Sequence, residues 1–364
     1  SLLPAPWADG EQLRLDINFQ SGFRIGMATY TVASGEANGH KIWRLSSQLF
    51  AGVQQFSRVE VEADSFKPLH SRWKHTLIGD AEATYSSGHT ELKTKGKDGV
   101  KTIELKGIVY DNEEVVQLMR RLPLTANYTN TIQIITTLGG GTIVPLKLEV
   151  TGIEKLEVPA GSFECYKVEL SLHQTFWLST DAHHYLVKFE AGGVIAELAA
   201  IIQTTPGQAA VYQDKALNIS VSAPPDWLFD AHKPDDAKSS HKIFILDPDA
   251  IATTMLTVAS QENLKPEEKK SLRAWADSEV AEGAKTLKDV KVRPDSWKER
   301  TMAGQPAISV IADFTEGREK KAVYAVYSFV RGNAIELLTY APTTDLEAFR
   351  PKFEAIVDSV KTNP

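Results

Sequence analysis

"LRLDINF", residues 13–19, places Leu13, Leu15, Ile17 and Phe19 on one side of an extended chain and Arg14, Asp16 and Asn18 on the other. Strict alternation of this kind predicts a strand with one face buried against a core. The pattern spreads outward from there. "EANGHK" sets Asn38-Gly39 between two further alternating runs, and "GKDGVK" does the same with Asp98-Gly99; both pairs are two-residue hairpin signals. "FSRVEVEAD" and "LHSRWKHTLIG" supply more strands between them. Residues 11–110 therefore read as an antiparallel β-meander.

One segment breaks the period. "DNEEVVQLMRRLPL" opens on Asp111 with Glu114 three positions later, the spacing of a capping box. Val115, Leu118, Met119 and Leu122 then follow at helical spacing and share a face, and Pro123 ends the run. Strands resume with "NTIQIITTL", "TIVPLKLEVTGIEKLEV", "FECYKVELSL" and "GVIAELAAII". The first domain is expected to be β throughout, with one short amphipathic helix.

Residues 206–215, opening on Pro206-Gly207, read as a linker between a domain at 1–205 and another at 216–364. A chain of 364 residues is long for a single core. In the second part short strands such as "LNISVSAP" and "KIFILD" alternate with helical segments. "PEEKKSLRAWADSEVAEGAK" is expected to be a helix starting near Pro266. A last helix near 344–360 carries Leu346, Phe349, Phe353, Ile356 and Val360 on one stripe, with Pro351 expected to kink or restart it. The pattern predicts an α+β unit, a sheet with helices on one side.

Charge excludes some partners. There are 19 basic against 23 acidic residues before position 211 and 21 against 24 after it. Neither half has the basic surface that a nucleic-acid backbone requires. The one cysteine, Cys165, allows no intrachain disulfide and lacks the basic neighbours that would activate it. The longest apolar stretch, Val194–Ile202, is too short to span a membrane as a helix. A start on Ser1 rather than Met fits a signal segment already removed.

Chemistry-bearing motifs are sparse. In "FWLSTDAHHYLVKFEAGGVIAEL", 176–198, a continuous strand would aim His183 and His184 to opposite sides, so they could not share a metal. Asp181 suits a turn. A hairpin is the expected reading, and an unrecognised enzyme centred on Asp181 and His183 ranks last. "LGGGT" at 138–142 lies between strands and reads as a turn. The acids of 111–114 read as a helix start. No catalytic residue, metal or cofactor is expected.

"VPAGSFECYKVEL" with the 176–198 stretch, the helix "VVQLMRRLPL" and the opening "INFQSGFRIGMATYTV" resemble an uncharacterised exported bacterial family over residues 11–202. That family resembles the half-barrel of the LolA and LolB lipoprotein carriers. The resemblance implies a curved antiparallel half-barrel, an extracytoplasmic, periplasmic location, and an apolar or lipid-like ligand. The helix residues Val115, Leu118, Met119 and Leu122, with Trp43 and Leu45 opposite, are the expected lining of a ligand groove. Residues 216–361 resemble the PsbP-like α/β/α sandwich through "ISVSAPPDW", "GQPAISVIADF" and "EAFRPKFEAIVDSVK". A non-enzymatic exported binding protein is the first functional expectation. An envelope interaction module with a protein partner and no small ligand is the second.

Overall fold

The computed structural model describes residues 2–95, 99–232, 240–248, 252–317 and 319–362. The chain divides into two compact units, Ser1–Pro206 and Gly207–Pro364.

The first unit is one fifteen-stranded sheet. Its first eight strands, from Glu11–Phe19 to Lys101–Glu104, form a meander leading from the centre to one edge. The other seven start at the opposite edge with Val109–Asp111 and return in chain order to the centre. There the last strand, Val194–Gln203, pairs antiparallel with the first, Glu11–Phe19. All neighbours are antiparallel except Val109–Asp111 beside Thr129–Thr136. The Asn38-Gly39 turn joins Arg24–Ala37 to His40–Phe50, with φ of 52° and 76°, the left-handed pair that a two-residue hairpin needs. Asp98 of the second expected turn lies outside the described residues.

The sheet is open but curls back on itself. Ala81, Ala83, Tyr85 and Leu92 from one end share an apolar cluster with Val109 and Ile135 from the other. Gly141 shows how close the two ends come: a Cβ there would stand 2.1 Å from Ile103 Cδ1.

Against the inner face lies a 3-10 turn, Asn112–Glu114, that runs into helix α1, Val115–Arg120. The expected capping box is present. Asp111 Oδ1 accepts from the Glu113 amide at 2.9 Å, and Glu114 Oε1 accepts from the Asp111 amide at 2.8 Å. Six residues of α-helix have no independent stability in water. α1 persists because Leu118 and Met119 are fully buried against Leu13, Leu15, Val59, Ile134, Leu148 and Leu178. Burying each such side chain contributes about 1.5–3 kcal/mol.

In the second unit, an eight-stranded antiparallel sheet lies between two helices. Helix α2, Leu272–Thr286, places Trp275 and Ala276 among Val310, Ala325, Tyr327 and Leu338. Helix α3, Leu346–Ser359, sets Phe349, Phe353 and Ile356 among Ile243, Leu256, Val326 and Leu337. Ala325 and Val326 are consecutive on one strand, so the two helices cover opposite faces. The expectation of helices on one side is thereby corrected: the layers are helix, sheet, helix.

Three local expectations also change. Residues 210–214, placed in the linker from their polar composition, form a strand paired with Ile219–Ala223. α2 begins later than Pro266, because Ser271 is extended and its Oγ accepts from the Ala274 amide at 3.0 Å, capping the helix there. α3 runs unbroken through Pro351 and does not restart.

Candidate functional site: the buried helix and its two ends

The six residues expected to line a groove come together in one place. Leu118 and Met119 are 0% exposed, Leu45 and Leu122 3% and Val115 7%. Trp43, half-buried, packs edge-to-face on Trp7 with ring centroids 5.9 Å apart. Leu118 and Met119 therefore touch no water-sized void, as side chains in a close-packed interior do not.

The C-terminal end of α1 is stapled by two arginines. Arg120, its side chain wholly buried, forms an ion pair with Glu11 at 2.8 Å. Its Nε donates to the His184 carbonyl at 3.1 Å, Nη2 to the His183 carbonyl at 3.0 Å and Nη1 to Gln117 Oε1 at 2.9 Å. The guanidinium also lies over the rings of Trp7 and Tyr185, 5.3 and 5.6 Å from their centroids. Burial lowers the Arg120 pKa and Glu11 opposes that shift; an arginine stays charged in either case. Arg121 points the other way. It donates to the carbonyls of Leu3 at 2.8 Å and Ala63 at 3.1 Å, over the ring of Phe66. Together the two side chains tie the helix end to the N-terminal segment and to the loops at 63–66 and 180–185.

His183 and His184 lie in that last loop, not in a strand. The strands of the hairpin are Gln174–Ser179 and Leu186–Ala191. Asp181 Oδ1 accepts from the His183 amide at 2.8 Å and from Ser179 Oγ at 3.1 Å, a side chain closing its own turn. His184 is buried with a φ of 45°, and its Nδ1 meets the Arg120 carbonyl at 2.9 Å. A carbonyl only accepts, so that nitrogen carries the proton. The histidine pair is thus part of the arginine staple. Among the described residues no group of three or more His, Cys, Asp and Glu side chains is placed to hold a metal.

The other end of α1 buries carboxyl groups. Asp111 and Glu114 are fully buried. Asp111 Oδ2 accepts from the Tyr85 hydroxyl at 2.5 Å and from Thr137 Oγ1 at 3.4 Å. Burial raises the pKa of Asp111 despite these bonds. Burial, with the neighbouring Asp111 charge added, raises Glu113 and carries Glu114 well above the ordinary carboxylate range. Glu114 Oε2 has no hydrogen-bond partner. Such burial favours the neutral carboxyl, because ionisation would leave a bare charge in a low-dielectric site. Cys165, also fully buried, has its thiol pushed up to about 12 by burial, and so is not a nucleophile at neutral pH.

A second titratable cluster lies under α2. Burial, with Glu279 nearby, pushes Glu336 up to about 8. Glu279 is raised by burial and accepts from Trp275 Nε1 at 3.1 Å.

Composition hid the arginine staple. Arg120 and Arg121 look like ordinary cations in the last turn of a helix. The available signal was their position: two adjacent long cations on a six-residue helix cannot both reach water if that helix is enclosed.

The first unit is thus a large, mostly antiparallel sheet that curls over one short helix, with Arg120, Arg121, Asp181 and His184 engaged in hydrogen bonds within the unit. The chain belongs to the family described as "Protein of unknown function (DUF3108)", whose model matches residues 14–195, half of its length. No curated protein matches the chain. Among solved structures it is similar to cyanobacterial PsbP (CyanoP) from Synechocystis, at 12% identity and a TM-score of 0.34, over 43% of this chain and 94% of that one. It is also similar to an exported protein of YmcC-like fold from Bacteroides fragilis, at 12% identity and 0.22, over 55% and 98%. MucB aligns at 8% identity and 0.24, over 99% and 94%. No helix among the described residues is long and apolar enough to cross a membrane.

Proposed function

We propose that this protein is a non-enzymatic, extracytoplasmic module of the bacterial envelope that acts through its outer surfaces and not through an internal ligand site. The first unit is read as a half-barrel whose interior is occupied by its own helix. The observation that carries this reading is the complete burial of Leu118 and Met119 beneath the sheet, with Arg120 locking the adjacent helix end. An acyl chain entering there would have to displace α1 and break the Arg120–Glu11 pair. The resemblance of "VPAGSFECYKVEL" and its following hairpin to exported bacterial proteins supports the location. The use of Asp181, His183 and His184 in backbone bonding supports the absence of catalysis.

The test is lipid occupancy. Purified full-length protein should take up no fluorescent fatty acid and yield no stoichiometric lipid by mass spectrometry of the extracted protein. One acyl ligand per chain, lost in Met119→Asp protein that remains folded, would restore the carrier reading.

A further inference from the structure

The two rims of the first sheet differ in chemistry. Following the register, the turns at 63–67, 121–128 and 180–185 all fall on one rim, together with the arginine staple. The turns at 20–23, 51–53, 76–78, 137–141, 171–173 and 192–193, and the connection that ends at 99–100, fall on the other. Lys101 Nζ donates to the Gly140 carbonyl at 2.6 Å, so the 137–141 turn meets the connection ending at 99–100 near the two sheet edges and the second rim forms a ring of tips.

That ring exposes large apolar side chains. Leu77 is 78% exposed and Phe23 69%, and Ile78, Val100, Leu138 and Leu172 are exposed beside them. None of the described residues in these turns is an aspartate or glutamate. Behind the turns, the carboxylates of Asp16, Asp80 and Glu190 are paired with Arg24, Lys95 and Lys188, and Glu169, exposed near the 171–173 turn, accepts from Thr151 Oγ1 at 3.2 Å. The opposite rim carries Asp64 and Asp181 in its turns.

We propose that this ring of hairpin tips docks on the surface of a lipid bilayer, with Phe23, Leu77, Ile78, Val100 and Leu138 inserting among the headgroups. Two features select a bilayer over a folded partner. Each tip is carried on a separate hairpin, and strands about 4.8 Å apart put successive tips about 10 Å apart. The residues between them are mostly glycine, serine and threonine, with Gln20, Ala51, Val53 and His173, so the large apolar side chains form no continuous face for a complementary protein surface. A fluid interface needs no such continuity. The second feature is charge: the described turns hold no carboxylate, and those of Asp16, Asp80 and Glu190 behind them are ion-paired, so the tips themselves bring little repulsion from anionic headgroups. This docking rests on the reading that the protein works by its outer surface, and it is tested separately from occupancy of the interior.

The experiment is co-sedimentation of the full chain with vesicles of phosphatidylcholine alone and with added phosphatidylglycerol. The same preparations are assayed for fatty-acid uptake. Wild-type protein should bind both kinds of vesicle, because insertion of the apolar tips drives the docking. The double change Leu77→Asp with Ile78→Asp should weaken binding by about tenfold or more. Both side chains are exposed, so its melting temperature should match wild type. Ile153→Asp, at an exposed apolar site away from this rim, should bind as wild type does. Three outcomes would overturn the proposal: no binding by wild type to either vesicle, equal loss in Ile153→Asp, or self-association through the rim that is abolished by the double change in the absence of vesicle binding. Fatty-acid uptake without vesicle binding would sink both this docking and the closed interior. Uptake alongside rim-dependent binding would sink only the closed interior.

Discussion

The two ends of α1 bury polar groups under opposite rules. At the C-terminal end Arg120 keeps its charge and is given Glu11, two carbonyls and Gln117 as partners. At the other end Glu114 receives one backbone donor, and its second oxygen has none. The difference follows from chemistry. A guanidinium cannot shed its proton, so it survives burial only with a full set of acceptors. A carboxyl can take up a proton and become neutral, so it tolerates a poorer site. One end of the helix is held by ionic hydrogen bonds to a guanidinium that keeps its proton. The other is held by carboxyl groups whose charge varies with pH.

The largest expected effect breaks the arginine end. Arg120→Met should cost about 3–5 kcal/mol, because it strands Glu11 as an unpaired buried charge and leaves the His183 and His184 carbonyls without donors. Urea unfolding would measure it. Adding Glu11→Gln should return part of the loss; no recovery in the double variant would mean that the pair is not coupled.

Met119→Asp comes next, at a loss of roughly 3 kcal/mol, since the new carboxylate would enter the filled contact between helix and sheet. A cost under about 1 kcal/mol, the range of surface substitutions, would mean that α1 is a loose lid and not core.

Glu114→Gln sharpens the contrast, because it should stabilise. The folded pKa of Glu114 lies above its unfolded value. At pH well below the ordinary carboxylate range both states are protonated and nothing is lost. As pH rises above the unfolded pKa the unfolded chain releases its proton first, and folding stability falls until the folded pKa is passed. Each unit of upward shift costs about 1.4 kcal/mol above that point. The neutral amide removes this cost and keeps the oxygen that caps Asp111. Its melting temperature should therefore exceed wild type at pH 7 and converge with it near pH 4. Glu336→Gln should behave likewise in the second unit, with its gain growing between the ordinary carboxylate range and about pH 8. Gains that are independent of pH would show that these carboxyls are ionised in the folded protein.

The smallest effect lies far from either end. Asn38→Ala, at a φ of 52°, should cost about 1 kcal/mol through the left-handed backbone alone, with no pH dependence.

Local pattern carried much of the architecture. The alternation at Leu13, Leu15 and Ile17 specified a strand and its buried face, because a period of two leaves one set of side chains for the core. Asn38-Gly39 specified its hairpin, since few residues accept two successive positive φ values. Asp111 and Glu114 specified the helix start, because their capping bonds close within four residues. The unit boundary is different in kind: the chain divides after Pro206, and Tyr212 and its neighbours, read from sequence as linker, joined a strand of the second unit once Ile219–Ala223 offered them an edge. Only the tertiary structure decided what encloses α1. Glu11 lies more than a hundred positions from Arg120 in sequence, and His184 more than sixty, so their bonds depend on how a fifteen-stranded sheet curls. The same curl gathers Phe23, Leu77, Val100 and Leu138 on one rim, although each looks in sequence like an isolated exposed side chain. Periodicity is a property of neighbours along the chain; enclosure and the chemistry of a rim depend on contacts between residues that only the curled sheet brings together.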